Sequence, residues 1–518
     1  MKKYLLLFFF AAFVCVASHG QELLDTTESR PQGVSIAAEM SVDLDFDLTD
    51  PRPQGVSIGS PEALTMVRDI NIPANYNTGT LDVQVPLYEF NYAGLRFPVT
   101  LSYNTSGIKV DDEPTIVGLG WRLNAGGAIV RVVRGPNPDG YGCVENTKGS
   151  DPNMQWSRAD FDIKIKDGYD TEPDMYYFST PTCSGMFILK GAHGLVIPYQ
   201  NISVDYENDQ GGGKFCITDS EGTIYTFGLG DNTHDLSTQA TLKWNKSMQE
   251  YETVEYDYIS TWHLNKISKG CINIHLYYQP SDTTLTMHNK NHIKTYHGSC
   301  KEAGEVVSTT SKVTTHPNYL SSIVWSGGQV SLDVSNHRLN AVKISDKHED
   351  YETDIALNYG KFFNGHLRLE SIEELAPEGQ KNNRIAEFFY NEQSITLEDA
   401  RDHFDYMGYY NGSRSGQEYG IKHSQGTWDV VSYVLSSREP DLDYAKAFSL
   451  RKIVYPFGGY KEFEYELNSA RVVNNRDAFL SSGLRIKKVT ECAYHNAEPA
   501  VTNYQYGCRE IEIGRAHV

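Results

Sequence analysis

From Leu81 onward, apolar and polar residues alternate in steps of two. Leu81, Val83, Val85 and Leu87 share one face of an extended segment, with Asp82 and Gln84 on the other. After a Gly-containing break at Asn91 to Gly94, the alternation resumes with Leu95, Phe97, Val99, Leu101 and Tyr103. A period of two across a glycine turn predicts a β-hairpin. A "GLGW" segment, an Asn-Ala-Gly-Gly turn and a strand over Ala128–Val133 follow. The same pattern returns along the chain as further hairpins: Met186–Leu189 with Leu195–Ile197, Phe215–Ile217 with Thr223–Phe227, Trp262–Ile267 with Ile272–Tyr278, Ile323–Trp325 with Val330–Val334, and Leu450–Tyr455 with Tyr460–Leu467. Each pair flanks a Gly-containing turn, the usual hairpin signature. Helical periodicity is weak, and the best helix candidate is a short one at Ser394–His403. The 34 Tyr and 21 Phe suit pleated sheet, where aromatic rings pack across strands. The expectation is an all-β chain whose successive antiparallel hairpins form a large curved sheet, shell-like or multi-sandwich.

The termini break this pattern. Lys2 and Lys3 precede an apolar run from Leu5 to Ala17, and Ser18 and Gly20 are small residues placed for cleavage before Gln21. Residues 1–20 therefore read as a secretory signal peptide, too short to span a bilayer. Cys15 follows Val14, a poor lipobox residue, so a lipid anchor is the lesser reading. Residues 21–70 read as a disordered acidic linker: they hold "DLDFDLTD" and two copies of "RPQGVSI", starting at Arg30 and Arg52, 22 residues apart. Two copies bury no core, so a duplication is favoured over a solenoid. Residues 71–140 form an N-terminal β module; 141–300 and 301–512 are two β-hairpin regions. The final "IGRAHV", residues 513–518, looks like a translated sequencing adapter.

Charge and chemistry narrow the functional classes. The formal net charge is −21, and no basic stripe offers phosphate contacts, so nucleic acid is not a partner. Seven cysteines remain after the signal peptide: Cys143, Cys183, Cys216, Cys271, Cys300, Cys492 and Cys508. An odd, widely spaced set without CxxC is neither a disulfide framework nor a zinc site. The 16 histidines form no HExxH or HxH run. His263 sits on a strand, facing solvent or a polar neighbour. Asp402, His403 and Asp405 make the most enzyme-like cluster, but adjacent strand residues point to opposite faces, so Asp402 and His403 would not pair well, and a structural role at a sheet corner is favoured. "QGGGKF" fails as a phosphate loop, because Asn208 and Phe215 stand where Gly and Ser or Thr are needed. "DLDFDLTD" fails as a calcium loop at Leu48 and Gln54. No G-x-S-x-G places a nucleophile. Trp121, flanked by glycines, is either a sugar-stacking platform or a core side chain over a tight turn. The core reading is favoured because large aromatic rings bury most of their area. No catalytic, cofactor-binding or metal residue is assigned. The expected core of the N-terminal module is Trp121, Tyr103, Leu119 and Leu123.

Several of these segments together carry a resemblance: Leu101-Ser102-Tyr103-Asn104, Gly118-Leu119-Gly120-Trp121, Leu123, Gly126-Gly127, Ile129, Arg131 and Arg134-Gly135, then "FDYMGYYNG" (404–412), "LRKIVYPFGGYKEFEYEL" (450–467) and "GLRIKKV" (483–489). Their order resembles the N-terminal region of secreted RHS/YD-repeat proteins, of the SpvB and insecticidal-toxin-subunit type. Glu464-Tyr465-Glu466 approximates a repeat strand, but no full "YDxxGRL" occurs, so the likeness is to the region ahead of the repeats. The resemblance implies an exported, non-enzymatic scaffold that starts or plugs a β shell around a C-terminal effector. Its partners would be the chain's own downstream repeats and effector, or cell-surface glycans or proteins, with no cofactor. The alternatives are a cell-surface adhesin or carbohydrate-binding module and, behind it, a β-sheet glycoside hydrolase, which needs two convergent carboxylates.

Overall fold

The computed structural model describes residues 79–92, 94–134, 173–208, 212–245, 250–282, 284–294, 306–347, 352–376, 382–395, 403–405, 407–412, 415–424, 427–436, 439–472, 479–506 and 509–511. The expected signal peptide, the linker and the 513–518 tail lie outside them.

The N-terminal hairpin forms where the alternation places it. β1 (Asp82–Tyr92), β2 (Leu95–Asn104) and β3 (Trp121–Asn124) make a three-stranded antiparallel sheet. Val83 lies opposite Tyr103 and Val85 opposite Leu101, so one face is continuously apolar. A register shift near Pro86 lets this residue, which has no N–H to donate, sit in the strand.

The next strands close into a barrel. They are β4 (Ala128–Val132), β5 (Met175–Ser179), β6 (Ser184–Lys190), β7 (His193–Ile197), β8 (Ser203–Glu207), β9 (Lys214–Thr218) and β10 (Ile224–Phe227), followed by the hairpin β11 (His234–Asn245) and β12 (Glu250–Lys269). β4 to β10 pair in sequence order, and the long β12 pairs with β10 on one edge and β4 on the other, completing a ring of eight strands. β7 and β8 share a single residue pair, His193 with Asp205, whose side chains also meet at 2.8 Å. The ring encloses side chains. Phe178, Phe187, Phe215, Phe227 and Tyr225 are almost wholly buried. Phe187 stacks on Tyr176 at 5.2 Å, and Phe215 meets Trp262 edge-on at 5.1 Å. A barrel of about eight strands is just wide enough for side chains to fill.

From β12 the sheet continues as a long meander. β13 (Ile272–Pro280) pairs with the end of β12, while β14 (Leu285–Lys294) and β15 (Val306–His316) fold back onto β11. β16 (Asn318–Trp325), β17 (Gly328–Ser335), β18 (Arg338–Asp346), β19 (Glu352–Lys361), β20 (Leu367–Glu374) and β21 (Asn383–Tyr390) follow in order. A separate hairpin, β22 (Ser415–Ser424) and β23 (Thr427–Ser436), lies in the connection to β24 (Leu450–Val454), β25 (Tyr460–Val472), β26 (Phe479–Cys492) and β27 (Ala500–Asn503). β28 (Arg509–Ile511) pairs parallel to β25, a departure from the expected antiparallel pattern. β17 shows the cause of the pleat: Val330, Leu332 and Val334 are buried while Gln329, Asp333 and Ser335 are exposed. Register shifts in β19, β20, β21 and β25 add bends that curl a long sheet. Cross-strand ion pairs such as Lys461 with Glu491 and Lys488 with Glu464 cover its solvated face.

The five further hairpins expected also form. Most of the helix candidate, residues 396–402, lies outside the described residues, and Ser394, Ile395 and His403 at its ends are not helical. A single helical turn forms instead at Leu442–Ala445, capped by Asp441, whose side chain accepts from the Asp443 amide.

Candidate functional site

An antiparallel meander returns to the same end at every second turn. The connections 335–338, 361–367, 390–450 and 472–479 therefore share one end of the sheet. The loop between β2 and β3 docks there. Its Ile116 carbonyl accepts from Leu339 N (2.8 Å), and its Leu119 amide donates to Leu367 O (2.9 Å). Ser106 O accepts from Leu484 N (3.1 Å), and Gly79 O, just before β1, accepts from Ile486 N (2.8 Å). The loop thus supplies backbone partners to the starts of β18 and β20 and to β26.

The "GLGW" turn aims the anchor of this contact. Thr115 Oγ1 donates to the carbonyl of Trp121 at 2.7 Å, and the Trp121 amide donates to Gly118 O at 3.2 Å. Gly120 has φ +78°, and a Cβ there would stand 2.5 Å from the Tyr103 ring. Only glycine fits both demands. Trp121 is fully buried, 5.3 Å from Tyr103 and 4.6 Å from Phe388 by ring centroids. Its indole N–H donates to Tyr390 Oη (2.8 Å), which donates onward to Leu369 O (2.7 Å). Tyr103 Oη accepts from Leu450 N (3.0 Å), and Tyr465 Oη donates to Leu450 O (2.5 Å). Burial holds the Tyr390 and Tyr465 phenols well above their ordinary pKa, so both stay neutral donors. The sugar-platform reading of Trp121 is overturned, because no face of the ring is accessible. Tyr103 and Leu119 are core as expected; Leu123 is only half-buried at the rim.

The remaining motif segments arrive at the same place. Asp405 Oδ1 accepts from the amides of Met407 and Tyr409, closing the turn inside "FDYMGYYNG". Tyr409 bridges to Lys109, and Val110 N donates to Gly408 O at 2.9 Å. Gly107 has φ +95°, and a Cβ there would lie 3.1 Å from Tyr409 and 3.2 Å from Leu484. Segments 101–121, 404–412, 450–467 and 483–489 therefore meet at one junction, although hundreds of residues separate the first from the others. Hydrophobic periodicity alone had not revealed this convergence.

Among the described residues the junction holds a small cavity, about 20 Å³, lined by Ile108, Lys109, Asp112, His366, Tyr410 and Phe448 among others. That is room for about one water, not for a substrate. Burial lowers the pKa of His366 against a smaller opposing effect of Asp112. Glu113 lies 3.9 Å from His366 Nδ1.

Elsewhere, the strand histidine His263 finds its polar neighbour: Nε2 lies 2.9 Å from Asp235 Oδ1, and the ring stacks on Tyr278 at 4.7 Å. Asp235 Oδ1 also accepts from Asn318 N (2.7 Å) and Asn318 Nδ2 (3.2 Å). Oδ1 of this Asp-His pair is thus fully engaged by the sheet, while Oδ2 is buried without a hydrogen-bond partner. Of "QGGGKF", the described residues 212–215 are pinned, with Trp262 Nε1 on Gly212 O and His234 Nε2 on Gly213 O. Cys183, Cys216, Cys271 and Cys492 are free thiols; Cys143, Cys300, Cys508 and Asp402 lie outside the described residues. Among the described residues no helix is long and apolar enough to cross a membrane, which leaves strands unaddressed.

No family model matches this sequence, and no curated protein does. Solved structures do. One is the TcdB2-TccC3-Cdc42 complex, at 10% identity, covering 83% of this chain and 22% of that one, TM-score 0.37. Another is a Photorhabdus luminescens Tc holotoxin pore bearing a TccC3 mutation, at 9% identity, covering 83% and 21%, TM-score 0.35. A third is the N-terminal domain of the effector SpvB from Salmonella typhimurium strain LT2, at 11% identity, covering 82% and 99%, TM-score 0.26. The chain spans about a fifth of the toxin-complex chains it matches. These scores carry no residue roles across, and the all-β architecture rests on the strand pairing itself. The structures to which this chain is similar are Tc-toxin complexes and an SpvB N-terminal domain, the two groups its motifs resemble.

Proposed function

We propose that this chain is the non-enzymatic β scaffold of an exported RHS/YD-repeat protein, and that it starts or plugs a shell enclosing or presenting a C-terminal effector. The observation that supports this reading is the convergence of the motif segments on a packed junction. Their residues serve as ring anchors, glycine contacts and backbone partners of a docked loop, so what distinguishes them is fit. Export follows from the N-terminal signal pattern. Reading the gene beyond the codon for Ile511 tests the proposal. Tandem "YDxxGR" hairpins followed by a variable tail are expected; a stop codon there contradicts a shell.

A second reading, an adhesin or carbohydrate-binding module, draws on one feature. At the opposite end of the meander Phe457 is 91% exposed and Tyr494 61% exposed, and the neighbouring Phe457 carbonyl accepts from His495 N at 3.0 Å. Two exposed rings on turns joined by a backbone hydrogen bond suit contact with a sugar. Glycan-array binding that disappears in a Phe457→Ala, Tyr494→Ala double variant would move this reading to the front.

A further inference from the structure

Three acidic side chains are buried among the described residues: Asp174, Asp235 and Asp405. Two have basic partners. Arg131 meets Asp174 Oδ2 at 2.6 Å, and His263 meets Asp235. Asp405 has none among the described residues. Its Oδ1 holds the turn, while Oδ2 is buried and has no hydrogen-bond partner.

The geometry around Asp405 places a second group beside it. Phe404 and Tyr410 form an isolated antiparallel bridge, with Asn411 N donating to His403 O (3.1 Å) and Asp405 N to Tyr409 O (2.8 Å). In such a narrow pair the flanking residues share one face, so His403, Asp405, Tyr409 and Asn411 point the same way. His403 Nδ1 is also buried with no hydrogen-bond partner. Two residues apart on one face, the two Cβ atoms stand about 6–7 Å from each other. Side chains so placed can hold one atom between them. A water could donate to both, but it would leave a buried carboxylate without a counter-charge, which protein interiors rarely tolerate.

We propose that His403 Nδ1 and Asp405 Oδ2 bind a divalent first-row cation of the zinc or manganese kind. Asn411 stands across from His403, and waters complete the shell. Imidazole nitrogen beside carboxylate oxygen selects these ions over calcium, which prefers oxygen ligands alone. No group of three His, Cys, Asp or Glu side chains occurs among the described residues, so the site is a modest structural one. It would stiffen the turn whose Tyr409 bridges to Lys109, and so tighten the docked loop.

The test uses the full chain, stripped with EDTA and titrated with ZnCl₂, MnCl₂ and CaCl₂, with bound metal counted by elemental analysis and melting followed in parallel. One equivalent of zinc or manganese and a raised Tm are expected. Asp405→Asn keeps an Oδ1 to hold the turn, and His403→Leu leaves the turn untouched; each should weaken Kd at least tenfold. Should Asp405→Asn fail to fold, His403→Leu alone decides. Absence of zinc and manganese binding, unchanged affinity in the variants, or uptake of calcium alone would overturn the proposal.

Discussion

The barrel and the docked junction solve one problem, burying aromatic rings in a β protein, by different means. Inside the barrel, Phe178, Phe187, Phe215 and Phe227 carry no polar atom beyond the backbone, and they pack by area and ring geometry. At the junction, Tyr103, Trp121, Tyr390 and Tyr465 are also buried, but each polar tip is tied to a named backbone or side-chain partner. Apolar contact is non-directional and tolerates substitution of similar volume. A buried hydrogen bond fixes a position and leaves an unsatisfied group when one partner goes. The barrel should therefore be forgiving and the junction exacting.

The largest expected effect is at the anchor. Trp121→Ala should destabilise by about 3–5 kcal/mol, the range for deleting a large buried aromatic ring. Unchanged denaturant midpoints would remove Trp121 from the core. The barrel strands also carry an exacting ion pair. Arg131→Met takes the guanidinium from the fully buried Asp174 carboxylate, which keeps the Arg134 amide on Oδ1, and breaking a buried ion pair in this way costs about 3–5 kcal/mol. A loss under about 1 kcal/mol would show that Asp174 is solvated after all.

Single atoms separate the two regions more sharply. Tyr390→Phe removes one oxygen and leaves the Trp121 indole N–H without its acceptor, for a loss of about 1–3 kcal/mol. Ile217→Leu, in the barrel core, reshapes a side chain of equal volume and should cost less than about 1.5 kcal/mol. If urea melts rank these two in the opposite order, the contrast between directional and non-directional packing fails.

The smallest effect concerns pH. Burial lowers the native pKa of His366, so the folded chain favours the neutral ring. Above the ordinary value of about 6.5 both states are neutral, and the contribution is complete. As pH falls below it, the unfolded chain takes up a proton that the native site resists, and stability declines. His366→Gln should remove that part of the acid-side loss; an unaltered pH profile would take His366 out of the account.

The strands were legible because half-buried sheet imposes a period of two, and the expected hairpin of Leu81 to Tyr103 formed, with a register shift after Pro86 that the alternation did not announce. Ring closure was not. It depends on the 20-residue β12 pairing with β10 on one edge and β4 on the other, and no local pattern encodes which distant edge a strand finds. Trp121 was legible as core from its size and glycines, but its acceptor lies 269 residues away on Tyr390. Leu123 alternates correctly, yet it ends half-buried because β3 is four residues long and its end reaches the rim. His403 and Asp405 drew notice as neighbours of Asp402. Their shared face depends on the Phe404–Tyr410 bridge, which spacing alone does not reveal.

The central claim is that the loop after β2 is docked by specific pairing, with Trp121 and Tyr390 as the principal contact. A double-mutant cycle of Trp121→Phe and Tyr390→Phe, read by equilibrium unfolding, tests it most directly. Removing donor and acceptor together should hurt less than the sum of the single changes, with a coupling of about 0.5–3 kcal/mol. Additive losses would mean that the two residues are neighbours without being partners, and the docked junction would lose its anchor.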